Sequence, residues 1–88
     1  MSYHLDFSDQ SKKDISFHRK SGKKSVLKKL LKLLNELSEH PFTGTGKPEP
    51  LKHDLSGFWS RRINKEHRLV YEVGEERIIV HSLKGHYY

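Results

Sequence analysis

The sequence contains no cysteine and only one tryptophan and one methionine. The absence of cysteine excludes disulfides and thiolate metal sites. No apolar run approaches the roughly 20 residues that a membrane-spanning helix needs, and the first seven residues lack the basic and apolar regions of a signal peptide. We therefore expect a cytoplasmic protein. Its 88 residues suffice for one domain, 1–88.

Positive charge is in excess, with 17 Lys and Arg against 11 Asp and Glu. Most of this excess lies in the first half, since residues 8–40 hold nine basic and four acidic side chains. A basic surface attracts polyanions and accelerates the encounter with them. The charge therefore favours nucleic acid or an acidic protein as the partner, although charge also serves solubility alone.

Hydrophobic periodicity predicts two helices in the first half of the chain. A short strand at Tyr3–Phe7 precedes Ser8, a good N-cap, and a first helix runs from Asp9 to about Lys20. The second helix ends before Pro41 and carries an apolar stripe at three- and four-residue steps, which we expect to be core. The stripe consists of Val26, Leu27, Leu30, Leu31, Leu33, Leu34 and Leu37.

Three strands are predicted in the second half, at about Gly57–Ile63, His67–Val73 and Arg77–Lys84. Each is rich in β-branched or aromatic residues, and turn residues lie between them. Their short connections imply an antiparallel meander. The order β-α-α-β-β-β predicts an α+β fold in which two helices pack on one face of an antiparallel sheet. The other face stays open for a ligand.

One carboxylate stands between two prolines, at the end of the loop that runs from Pro41 to Pro50. Each proline fixes its own φ, so Glu49 has little backbone entropy to lose. Such restraint suits a general base, which must be held in place before the reaction. The alternative interpretation is an ordinary exposed loop glutamate.

The predicted hairpin brings together three arginines: Arg61, Arg62 and Arg68. Strand alternation directs Arg62 to the open face and places Arg61 with Trp59 and Ile63 on the face expected to be core. Guanidinium groups on the open face can hold a phosphate and stabilise charge that develops on it. Arg61 is retained as a further phosphate-binding candidate. The alternative is a set of solvated strand cations.

The chain ends with His86, Tyr87 and Tyr88. An imidazole titrates near neutrality and can act as a general acid, and tyrosines can stack on bases. The alternative is a frayed terminus. No two of the seven histidines have the i, i+4 spacing of a helical zinc site, so we expect no metal and no cofactor. A carboxylate, arginines and a histidine suit RNA cleavage through the ribose 2′-OH.

A longer pattern covers Pro41 to Tyr71 at nearly fixed spacing. Its segments are Pro41-Phe42, GTGKPEPLKH at 44–53, LSGFWSRRI at 55–63 and EHRLVY at 66–71, with His86-Tyr87 at the end of the chain. This pattern resembles the YoeB/Txe group of RelE-like toxins of type II toxin–antitoxin systems. The resemblance implies a RelE-like fold and a ribosome-dependent, metal-independent endoribonuclease (an mRNA interferase) that inhibits translation.

The resemblance also implies roles for individual residues. Glu49 would be the general base, His86 the general acid, and Arg68 the cation that stabilises the transition state. The remaining implied residues are Lys52 and Arg62, which bind or orient phosphate, and Tyr87, which shapes the site near the cleaved nucleotide. The chain departs from the group at Tyr88, which moves the terminal carboxylate by one residue.

Partners follow from the same resemblance. It implies an acidic antitoxin of the YefM or Phd kind, action on the ribosome and messenger RNA, and contact with operator DNA only through the antitoxin complex. A homodimer is compatible with it. Two rival interpretations stay open. One is a basic module that binds the ribosome or DNA without cleaving anything, and the other is a family member without toxicity that acts as a co-repressor with its antitoxin.

Overall fold

The computed structural model describes residues 2–52 and 57–85. Its elements in chain order are β1 His4–Phe7, α1 Asp9–Ser21, α2 Lys24–Glu39, β2 Glu49–Pro50, β3 Phe58–Arg62, β4 Arg68–Val73 and β5 Arg77–Ser82. The predicted α+β fold with two helices ahead of a strand meander is confirmed. Neither helix is long and apolar enough to cross a membrane, within the ranges described.

The five strands form one sheet in the order β1-β5-β4-β3-β2. The predicted meander is confirmed, because β3, β4 and β5 pair antiparallel. The prediction of a fully antiparallel sheet is wrong, because β1 pairs parallel with β5 and Leu5 lies opposite Ile78. Short connections force antiparallel pairing, but no short connection joins these two strands. The two-residue β2, in a segment predicted as loop, adds a further antiparallel edge.

The helix ends follow local rules. The Oγ of Ser8 accepts a hydrogen bond from the backbone N–H of Ser11 at 3.1 Å, which confirms the predicted N-cap of α1. The helix ends at Gly22, whose φ of 72° is left-handed and therefore favours glycine. The second helix ends at Glu39, before Pro41, as predicted.

Four residues of the apolar stripe on α2 are buried in the core: Val26, Leu30, Leu33 and Leu37. They pack against one face of the sheet, on residues Ile63, Leu69, Tyr71, Ile78, Val80 and Leu83. The prediction that the whole stripe is core is wrong for Leu31, which is 57% exposed. Seven apolar positions span more than one face of the helix. Leu31 is rotated by about 100° around the helix axis from the buried Leu30 and therefore points away from the core.

Candidate active site

Backbone pairing fixes the segment that carries Glu49 on both sides. Before it, the carbonyl of Gly46 accepts a hydrogen bond from the N–H of Arg62 at 2.7 Å. After it, the N–H of Leu51 donates to the carbonyl of Phe58 at 2.8 Å. The flanking prolines are thus only part of the restraint on Glu49, because pairing with β3 supplies the rest.

The approach of this loop to β3 requires a glycine. Gly46 has a φ of 85°, and a Cβ added there would lie 2.8 Å from the carbonyl oxygen of Arg62. Lys47 also has a positive φ, of 52°. Two consecutive left-handed residues, which are rare for side chains other than glycine, turn the chain into β2.

Glu49 and Arg68 lie together on the open face of the sheet. The carboxylate Oε1 of Glu49 is 3.1 Å from the guanidinium Nη1 of Arg68. Strand β3, which lies between β2 and β4, brings them together, because Glu49 lies opposite Ser60 and Arg62 lies opposite Arg68. The Glu49 side chain is 52% exposed, and its carboxylate is therefore open to a ligand.

Two further exposed cations lie close to Glu49. Lys52 follows it in the chain, and Arg62 lies on β3, the strand that pairs with β2. Within residues 2–52 and 57–85, neither side chain makes a hydrogen bond or an ion pair. Arg62 and Arg68 are direct cross-strand neighbours, and like charges in this relation destabilise a sheet. Binding of an anion such as a phosphate would offset this repulsion.

Arg61 points the other way, into the core, and its side chain has no exposed surface. Each of its five N–H groups has an acceptor: the hydroxyl of Tyr71, the carboxylate of Glu36 and three backbone carbonyls. The carbonyls belong to His40, Thr43 and Thr45. This corrects the expectation that Arg61 binds phosphate, because no donor remains and no phosphate can reach the buried group.

Glu36 and Tyr71 complete the network around Arg61. Thr45 donates to the carboxylate of Glu36 through its hydroxyl at 2.7 Å and its backbone N–H at 2.8 Å. These hydrogen bonds hold the pKa of Glu36 below its ordinary value, and the charge of Arg61 adds to them. The Tyr71 hydroxyl donates to the carbonyl of Pro41 at 2.6 Å, and burial raises its pKa. One buried cation thus ties the segment that follows α2 to the sheet.

Comparison with known proteins identifies the family of this chain. Residues 7–87 match the family described as the YoeB-like toxin of the bacterial type II toxin–antitoxin system. The chain is 45% identical over 83 residues to the toxin YoeB of Escherichia coli (strain K12), which covers 94% of this chain and 98% of that protein. The chain belongs to the YoeB-like toxins. The resemblance to the YoeB/Txe group is therefore confirmed.

Solved structures of other toxins share the fold of this YoeB-like toxin. A YoeB/ParE toxin from Agrobacterium tumefaciens superimposes with a TM-score of 0.89 at 38% identity, covering 96% of this chain and 99% of that one. A Staphylococcus aureus YoeB, 40% identical, covers 99% of this chain and 100% of that one. It has been solved as a YoeB dimer, with a TM-score of 0.85, and as a YoeB-YefM complex, with a TM-score of 0.82.

The predicted general acid of the toxin, His86, and its neighbour Tyr87 lie outside the described residues, as does Tyr88. The last described residue is Gly85, whose carbonyl accepts a hydrogen bond from the backbone N–H of Arg68 at 3.0 Å. Gly85 therefore lies beside the backbone of Arg68, the cation of the Glu49–Arg68 pair.

The open face of the toxin also carries a cluster that the sequence did not reveal. The ring of Phe58 stacks on that of His81, with centroids 4.7 Å apart, and Nε2 of His81 lies 3.1 Å from a carboxylate oxygen of Glu72. The alternation of β3 could have indicated Phe58. The partners of His81 could not be predicted, because an irregularity between Val70 and Tyr71 shifts the pairing register of β5.

A second histidine, His67, lies next to Arg68 and is only 13% exposed. Its Nδ1 accepts a hydrogen bond from the backbone N–H of Gly85 at 2.9 Å. Burial lowers the pKa of His67 below its ordinary value of 6.5, and the neighbouring His18 acts in the same direction. The folded toxin therefore favours the neutral imidazole, which is the form that can accept this hydrogen bond.

We expect the free energy of unfolding to fall as the pH drops below about 6.5. The unfolded chain protonates His67 at its ordinary pKa, whereas the folded protein resists protonation, so the unfolded state binds more protons. The stabilisation is complete above the ordinary pKa and is lost as the pH falls through the lowered one. Urea unfolding at about pH 8 and about pH 5 should show a smaller pH effect in His67→Asn than in the parent. Equal pH effects in the two proteins would contradict this.

Proposed function

We propose that this toxin is an endoribonuclease that cleaves messenger RNA on the ribosome through attack of a ribose 2′-OH on the adjacent phosphate. The observation that carries the proposal is the 3.1 Å contact between Glu49 and Arg68 on the open face. The reaction needs a proton acceptor and a cation at one ribose-phosphate unit. A paired carboxylate and guanidinium supply both groups at one place.

In the proposed reaction Glu49 removes the proton from the 2′-OH, and the oxygen attacks the neighbouring phosphorus. Arg68 stabilises the negative charge that develops on the phosphate oxygens. The bond from phosphorus to O5′ then breaks, and His86 gives its proton to the leaving oxygen. The products are a 2′,3′-cyclic phosphate and a 5′-hydroxyl. No metal is needed, because protein groups provide the base, the cation and the acid.

Substrate binding is assigned to the neighbouring side chains. Lys52 and Arg62 bind or orient phosphates on either side of the cleaved bond, and Tyr87 shapes the site near the cleaved nucleotide. Because binding of this kind releases counterions from the RNA, we propose that affinity falls steeply as the salt concentration rises. Inhibition of translation in the cytoplasm follows from the loss of intact messenger.

The proposed partners follow from Arg62 and Arg68 on the open face and from the relatives. The Staphylococcus aureus YoeB was solved as a dimer and bound to YefM. We propose that an acidic antitoxin of the YefM or Phd kind covers the open face of this toxin, and that operator DNA is contacted only through that complex. A homodimer is the proposed state of the toxin without its antitoxin.

The chemistry of the cut ends tests the proposed reaction. Ribosomes programmed with a messenger that carries a 2′-deoxy sugar at a mapped cleavage position should no longer be cut there, because the attacking oxygen is missing. The unmodified messenger should yield 5′-hydroxyl ends, which a kinase labels without prior phosphatase treatment. Cleavage at the 2′-deoxy position, or ends that carry a 5′-phosphate, would refute attack by the 2′-OH.

A non-catalytic basic module is the second candidate, favoured by the opposed pair of Arg62 and Arg68. Glu49 argues against it, because a carboxylate on a phosphate-binding face weakens simple binding. Primer extension on messenger RNA after induction separates the two functions. Discrete new 5′ ends favour the enzyme, whereas arrested translation without new ends favours the binding module.

A further inference from the structure

The segment that follows β5 is held by side chains of the first helix. Asp14 accepts a hydrogen bond from the backbone N–H of Leu83 through Oδ2, at 2.9 Å. Nε2 of His18 lies 2.7 Å from the carbonyl oxygen of the same residue, and since a carbonyl only accepts, the imidazole donates. Both backbone groups of Leu83, which lies just beyond the end of β5, are therefore bound by α1.

Two residues further along, the same segment is bound by the beginning of β4. The N–H of Gly85 donates to Nδ1 of His67 at 2.9 Å, and its carbonyl accepts from the N–H of Arg68 at 3.0 Å. The rings of His67 and His18 also contact each other edge to face, with centroids 4.8 Å apart. The two attachments thus form one continuous cluster.

The polar groups of this cluster are buried, so they form hydrogen bonds with the segment and not with water. Asp14 is 3% exposed and His18 is 1% exposed. Asp14 is held in turn by Gln10, whose amide donates to Oδ1 at 2.8 Å. Apolar residues at these two positions of α1 would bury without desolvation cost, but they would leave the backbone groups of Leu83 unpaired.

The charges around His67 favour its role as an acceptor. The ring faces His18 from α1, Lys23 from the turn before α2, and Lys84 from the bound segment, and all three disfavour a protonated imidazole. Glu66 acts in the opposite direction, from a distance of 3.9 Å. Protonation at Nδ1 would replace the hydrogen bond to Gly85 by two opposed N–H groups.

We infer that Asp14, His18 and His67 are positioning residues for catalysis, here named the C-terminal clamp. The clamp holds the segment 83–85 against the backbone of Arg68. It thereby fixes the position of Gly85, the residue to which His86 is bonded. The inference rests on the proposed function, in which His86 donates the proton to the leaving group. Proton transfer requires this group within hydrogen-bond reach of the leaving oxygen, so a small displacement of the segment lowers the rate without weakening RNA binding.

Two substitutions of His67 test whether its role is to accept the hydrogen bond from Gly85 or only to fill space. In His67→Asn the amide oxygen can take the place of Nδ1 and accept from Gly85, whereas in His67→Gln the amide extends toward the place of Nε2. We expect kcat for messenger cleavage to fall about 10- to 100-fold in His67→Gln with KM unchanged, and to stay close to the parental value in His67→Asn. His4→Gln, at an exposed histidine of β1, is the matched control.

A second measurement does not depend on cleavage. In a Glu49→Gln background, NMR should show faster hydrogen exchange of the Gly85 amide in His67→Gln than in His67→Asn. A parent toxin that does not cleave RNA would refute the proposed function, and the exchange rates would still decide whether His67 holds the segment. Equal exchange rates in the two variants, equal loss of kcat in both, or no loss in His67→Gln overturns the inference.

Discussion

Changing Glu49 to glutamine is expected to lower the rate of messenger cleavage by about 10²- to 10⁴-fold, the usual contribution of a general base. Glutamine keeps the length of the side chain and an oxygen that can accept from Arg68, but it cannot take up the 2′-OH proton. The rate follows from primer extension on ribosome-bound messenger, and the loss of growth arrest on expression gives the same result in cells.

Stability measurements separate this effect from unfolding. Glu49 and Arg68 form a partly exposed ion pair, so Glu49→Gln should change the free energy of unfolding by no more than about 1 kcal/mol. Glu76→Gln removes an exposed carboxylate in the turn before β5 and should leave cleavage unchanged. Arg68→Ala should lower the rate by about 10²- to 10³-fold. Parental rates in both Glu49→Gln and Arg68→Ala would show that the pair has no catalytic role.

Changing Arg61 to methionine is expected to reduce the free energy of unfolding by about 3–5 kcal/mol, the usual effect of removing one partner of a buried ion pair. Methionine fills much of the volume but donates nothing. Glu36, whose side chain is 24% exposed, would keep its hydrogen bonds from Thr45, but the three carbonyls between α2 and β2 would lose their donor. A chain of this size has a total stability of roughly 4–13 kcal/mol, so the loss is a large fraction of the whole.

The neighbouring arginine provides the control for Arg61. Arg62→Met should change the stability by less than about 0.5 kcal/mol, because that side chain is exposed. It should instead weaken RNA binding and reduce its salt dependence. Urea unfolding of both variants, with RNA affinity measured at two salt concentrations, gives the comparison. An Arg61→Met protein as stable as the parent would contradict the structural role of the buried network.

The parts of the fold that the sequence predicts are those governed by local rules. The four core residues of α2 follow from helical periodicity, and the start of α1 follows from the hydrogen-bonding capacity of Ser8. The meander follows from short connections between strands. The parallel pairing of β1 with β5 could not be predicted in this way, because it joins opposite ends of the chain and no turn sets its direction.

In the candidate site, too, the features set by local patterns could be predicted and those set by distant contacts could not. The proximity of Glu49 and Arg68 was expected from the hairpin and the family pattern, and both residues lie on strands that pair with β3. The identity of the acceptors around Arg61 could not be predicted, because they come from a helix and an irregular segment far along the chain. Asp14 and His18 lie at helical spacing but are polar, so hydrophobic periodicity cannot detect that they are buried.

The pairing of the first strand with the last also bears on how the toxin is synthesised. A chain is made from its N-terminus, so β1 leaves the ribosome long before the residues that will lie beside it, such as Ile78 opposite Leu5. Contacts between distant segments form late and slowly. We therefore expect the nascent toxin to lack its complete sheet until its own translation has almost ended, which delays any activity until the finished molecule is about to leave the ribosome that made it.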